Sequence, residues 1–177
     1  MAKKEHIFLW QSQELKFLLL KAKILKFQFT QHINQPPSNM HILFEGGESA
    51  HVFVDMIYID EREEIGQIQI EMDAQSSLSL MPVNIKPGCK FFEFEPPLEI
   101  QTNRNFEILR YQDDKILVDV GIRILKSETY LNISASSFPR KLEILSSDRG
   151  IADLVSGISR YQPEVPLADL TSIPISN

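Results

Sequence analysis

Four histidines, one cysteine, adjacent carboxylates and seven arginines are the residues of this chain with the means to do chemistry. His6, His32, His41 and His51 form no His-x-x-x-His and no His-Glu-x-x-His, the spacings that set two imidazoles on one helix face for a metal. They read as ordinary surface or strand histidines, and no metal site is expected. Cys89 stands alone, which excludes an intramolecular disulfide and any multi-cysteine cluster. It follows Gly88 in an expected turn, with no neighbouring base in the sequence to activate its thiol. Asp113-Asp114 and Glu63-Glu64 also fall in expected turns, where they serve solubility and turn chemistry rather than general acid–base work. There is no Gly-x-Gly-x-x-Gly, no Walker loop and no Gly-x-Ser-x-Gly elbow, and seven glycines leave little material for phosphate-cradling loops. No catalytic residue and no cofactor are expected, and the chain reads as a non-enzyme.

The cations are unevenly placed. Residues 1–30 carry six lysines against Glu5 and Glu14, whereas residues 45–73 carry nine acids against Arg62 alone. Six of the seven arginines (Arg104, Arg110, Arg123, Arg140, Arg149 and Arg160) follow residue 103. Arginine offers a planar fork suited to phosphate, and lysine a point charge. The rear of the chain is therefore where recognition of an anion is expected.

Residues that act together need elements to position them. A length of 177 residues fits one domain, or two small ones of about 75–100 residues. With 43% hydrophobic and 24% charged residues, the chain is ordinary for a globular protein and unlike a coiled coil, a collagen or a disordered tail. The net charge of −6 argues against general nucleic-acid binding. The apolar run Ile7-Phe8-Leu9-Trp10 is too short for a signal peptide, and Lys21, Lys23 and Lys26 break the next one. No membrane span and a cytoplasmic location are the expectation.

Ser12 can cap a helix over about 12–24, with Leu15, Leu18, Leu19 and Ala22 at helical spacing. From Leu25 the period becomes two, with Leu25, Phe27 and Phe29 on one side of a strand. Strands follow at about 40–45 and 50–59 around a Gly46-Gly47 turn, then at 67–73, 78–85 and 91–95. Pro96-Pro97 marks a junction near 97–103. Beyond it, stretches at 105–111, 116–125, 128–134 and 141–145 read as strands. Ser147 or Asp148 opens a helix at about 149–161, and a proline-bearing tail follows. The expectation is a mainly β (α+β) protein of two small antiparallel β units with one helix near each end. Its divisions are 1–98, 99–162 and an extended tail, 163–177.

One segment carries a resemblance. Asn103-Arg104-Asn105-Phe106-Glu107-Ile108 precedes a long strand, and Asn132-Ile133-Ser134-Ala135-Ser136-Ser137 follows about 28 residues after Arg104. This resembles, in degenerate form, the PilZ domain of cyclic-di-GMP receptors. That family has an Arg-x-x-x-Arg motif before its first barrel strand and an Asp/Asn-x-Ser-x-x-Gly motif later. Here Ile108 stands at the second arginine position, Arg110 comes two residues on, and Ser137 replaces the final glycine. The front region is similar to the N-terminal domain of flagellar-brake-type PilZ proteins. The resemblance implies that the second unit is an incomplete PilZ-like barrel. It also implies a signalling role, a cyclic-di-GMP ligand, and a ligand set of Arg104, Arg110, Asn132, Ser134 and Arg140. Arginines pair with phosphate bidentately and read guanine O6 and N7. Function is thus expected to be regulatory, through an unidentified protein partner. The alternative is a protein–protein interaction module with no small ligand, with Ile7, Phe8, Leu9 and Trp10 as anchors.

Overall fold

The computed structural model describes residues 3–8, 12–33, 35–61, 63–73, 85–136, 140–148, 150 and 171–175. Among these, strands predominate: β1 (Lys4–His6), β2 (Ile24–His32), β3 (Asn39–Phe44), β4 (Ser49–Tyr58), β5 (Glu64–Met72), β6 (Cys89–Phe94), β7 (Asn105–Gln112), β8 (Ile116–Lys126), β9 (Thr129–Ala135), β10 (Leu142–Ser146) and β11 (Thr171–Pro174). Two short helices accompany them, α1 (Gln13–Leu20) and α2 (Leu98–Gln101). The expected strand at 78–85 and helix at 149–161 lie outside the described residues, apart from Ile85 and Gly150.

The strands form two sheets. The front sheet has the order β5-β4-β3-β2-β6, all antiparallel, and the rear sheet the order β10-β9-β8-β7-β11. β1 joins the rear sheet, parallel to β8 at Ile116–Val118, below the part of that edge taken by β9. Both orders end in edge strands, so the second unit is an open sheet and not a barrel.

One hydrophobic cluster takes Phe27, Phe29, Met40, Ile42 and Phe44 from the front sheet and Phe106, Ile122, Ile124, Leu131 and Ile144 from the rear. The two sheets are therefore layers around a shared core. A second patch joins Ile65 of β5 to Ile116, Val118 and Val120 of β8. Gly66 marks a close approach between layers. A Cβ there would lie 2.6 Å from the Ala135 Cβ of β9 and 2.7 Å from Val54 Cγ1.

Sequence alternation places most of the core correctly, and bulges correct the rest. In β2 the pairing slips between Ile24 and Lys26, so Leu25 is the extra residue. Ile24, rather than Leu25, joins Phe27 and Phe29 in the core. Helix α1 begins as expected, with the Ser12 hydroxyl accepting from the Leu15 amide at 3.0 Å. It ends at Leu20, short of residue 24, because Ile24 already belongs to β2. No helix among the described residues is long and apolar enough to cross a membrane.

Candidate functional site

The residues expected to form a ligand site are spread through the rear sheet. Arg104 is 4% exposed, and its guanidinium is used inside the protein. Nη1 donates to Ala22 O and Gln101 O, and Nη2 to Leu18 O, each at 2.8 Å. It thus adds a charged donor to carbonyls at the end of α1, where Leu18 O also accepts from the Ala22 amide at 3.2 Å. Burial pushes its pKa down to about 10, still far above neutrality, so it remains a cation. Arg110 stands six residues along β7, about 20 Å away at the strand rise of 3.3 Å. It forms a fork on Asp119, with Nε–Oδ1 at 2.6 Å and Nη2–Oδ2 at 3.0 Å. Asp119 also accepts from the Phe8 amide at 2.7 Å, so the pair pins the chain after β1 to β8. The Asp119 bond holds the Arg110 pKa above its ordinary value.

Asn132 accepts from Arg123 Nε at 2.9 Å, and Arg123 reaches Glu107 at 3.5 Å. Glu107 in turn accepts from the Ser172 hydroxyl. This is a polar ladder across β11, β7, β8 and β9, and it engages the side chain of Asn132, one of the expected ligand residues. Ser134 is buried between Gly121 and Glu143 in register. Arg140 is exposed, at φ 58°, with its amide directed at Met56 Sδ. Arg104 and Arg110 therefore do not share a hollow. Of the anchors expected at the N-terminus, Phe8 is buried and Ile7 is 39% exposed; Leu9 and Trp10 lie outside the described residues.

A cleft of about 530 Å³ opens elsewhere, where the end of β2, the start of β3, the start of β6 and the approach to β10 meet. Its chemistry comes from His32, Ser38, Asn39, Lys86, Cys89 and Lys141. The walls are tied by local turns and two long-range bonds. Leu142 donates its amide to Pro37 O at 2.8 Å, and Lys141 Nζ donates to Ser38 Oγ at 2.7 Å. Lys86 and Cys89 flank a turn at Gly88, whose φ of +79° suits glycine. The Cys89 amide donates to Lys86 O at 3.0 Å. His32 and Cys89 are direct cross-strand partners between β2 and β6. Among the described residues the lining includes two lysines and a histidine but no carboxylate, in a chain of net charge −6.

Linear spacing conceals this cluster. His32 and Cys89 meet through strand register, and Lys141 arrives from the other sheet. Among the described residues no three of His, Cys, Asp and Glu gather as a metal-ligand set. Compared with known proteins, the chain matches no family model, no curated protein and no solved structure.

Proposed function

We propose that this protein is a non-enzymatic, regulatory binding protein that takes a small anionic ligand in the Lys86–Lys141 cleft. The carrying observation is the pairing of two ammonium groups with hydroxyl and amide side chains, with no lining carboxylate among the described residues. Such a wall attracts phosphate or carboxylate as point charges, while Ser38 and Asn39 offer short-range hydrogen bonds. A cyclic dinucleotide such as cyclic-di-GMP, with two phosphates, is the ligand class that joins this site to the resemblance in the sequence. The lysines then replace the arginines as phosphate contacts. A reduced thiol at Cys89 accords with a cytoplasmic setting.

Isothermal titration of the full chain tests this, with cyclic-di-GMP and inorganic phosphate as separate arms. Binding should weaken roughly tenfold or more in Lys86→Ala/Lys141→Ala and fall as salt rises. Heat from phosphate alone would keep the anion site and remove the dinucleotide. Silence in both arms at millimolar ligand would remove the reading.

The alternative, an interaction module without a small ligand, draws on Phe17. Its ring is 60% exposed on α1 between Lys16 and Lys21. Loss of concentration-dependent association in Phe17→Glu, with the cleft silent, would favour it.

A further inference from the structure

His41 and His51 lie ten residues apart, equidistant from Gly46, and the β3–β4 hairpin places them directly opposite each other. Phe44 N–H bonds Glu48 O at the hairpin end, so the alternating ladder makes 41/51 a non-hydrogen-bonded pair, where side chains stand closest. Their rings stack 4.8 Å apart and 14° from parallel. Each Nδ1 faces a carboxylate: His41 to Asp73 at 2.7 Å and His51 to Glu71 at 3.4 Å. The Ser49 hydroxyl steadies Asp73 from 3.0 Å. An ionised carboxylate only accepts, so each neutral imidazole carries its proton on Nδ1 and keeps a lone pair on Nε2. That is the arrangement by which carboxylates orient metal-binding histidines.

A second observation comes from the same cross-strand row. Gln28 of β2 pairs in register with His41 on one side and Glu93 on the other. Its Nε2 donates to Glu93, while Oε1 is buried without a hydrogen-bond partner, in a residue only 1% exposed. Row order thus runs Glu93, Gln28, His41, His51, Glu71 across the front sheet. It sets a residue with a spare amide oxygen beside His41, one strand further from His51.

We propose that His41 and His51 chelate a divalent transition-metal ion through Nε2, with Gln28 Oε1 as the neighbouring oxygen donor and water completing the shell. Metal–imidazole bonds of 2.0–2.1 Å put two nitrogens on one ion about 3 Å apart. The stacked rings must therefore tilt together at their Nε2 edges, and the side chains, about a quarter exposed, open to solvent on that side. Two imidazoles and a neutral oxygen suit copper, nickel or zinc, and copper(II) stands highest in the affinity order. This site is independent of the Lys86–Lys141 cleft.

The test is titration of the full chain with Cu²⁺ in a Cys89→Ser background, which removes thiol oxidation, read by calorimetry and electron paramagnetic resonance. The expected result is one ion per chain with two equatorial imidazole nitrogens. His41→Gln or His51→Gln should reduce the nitrogen count to one and weaken binding roughly tenfold or more. Asp73→Asn, which keeps both imidazoles, should weaken binding by about tenfold while leaving the nitrogen count at two. Circular dichroism checks that each variant is folded. An unchanged spectrum and affinity in His41→Gln/His51→Gln, or a single nitrogen in the parent, would overturn the proposal.

Discussion

A carboxyl group with no partner is the clearest single-residue liability in the molecule. Glu143 of β10 is 4% exposed and its Oε2 accepts no hydrogen bond. Loss of hydration pushes its pKa up to about 7 from an ordinary 4.5. The folded state therefore prefers the neutral acid. Its cost to stability is absent below pH 4.5, grows as pH rises through 7, and then levels off. Glu143→Gln should match the parent near pH 4.5 and exceed it at pH 8, by on the order of 1–3 kcal/mol. Urea denaturation at both pH values measures this; equal gains at the two would show that charge is not the cause. Alternation alone marks residue 143 as facing away from the core that holds Leu142 and Ile144. Its burial is a tertiary fact that local sequence does not encode.

At the scale of elements, α1 depends on a residue more than eighty positions away. The helix has eight residues, too few to persist by itself in water. Ser12 caps its start, and Arg104 gathers carbonyls of Leu18 and Ala22 at its end, together with Gln101 O of α2. Arg104→Met should cost about 3 kcal/mol or more, because three carbonyls lose a charged donor. Arg104→Lys should recover only part of that, since one ammonium cannot span the fork. Chemical denaturation with far-UV circular dichroism reports both; a methionine variant as stable as the parent would refute the capping role. The sequence around Arg104 does not distinguish this role from anion recognition. An arginine before a strand looks the same whether its partner is a phosphate or the end of a helix folded against it.

For the whole molecule, the decisive contact is the closeness of the two sheets at Gly66. Any side chain there meets Ala135 and Val54 at under 3 Å, so the layers must separate. Gly66→Ala should cost about 1–3 kcal/mol by overpacking. Ala135→Gly in the same chain should return part of the loss, measured as a rise in denaturation midpoint. No recovery would place the strain elsewhere.

Much of this architecture was legible beforehand. The period-two pattern at Ile68, Ile70 and Met72, the Gly46-Gly47 turn and the run from Ile116 to Ile124 foretold antiparallel strands, and those elements are present. Such signals are local, because a strand shows its buried face in its own alternation and a hairpin its register in its turn. The terminal strands β1 and β11 were not legible, since three or four residues carry too little pattern to stand above background. Nor were the sites. The stacked histidines of β3 and β4 were within reach, because the register follows from the turn. The lysines of the cleft were not, because Lys86 and Lys141 lead into strands of different sheets and meet only when the layers close. By itself the amino-acid order determined which of the longer segments are strands and, away from the β2 bulge, which side of each is apolar. The tertiary structure decided which cations are consumed by the protein's own carbonyls and carboxylates and which still face a cleft. The physical reason is that a charge's role depends on what lies within a few ångströms of it, and long-range pairing alone sets that.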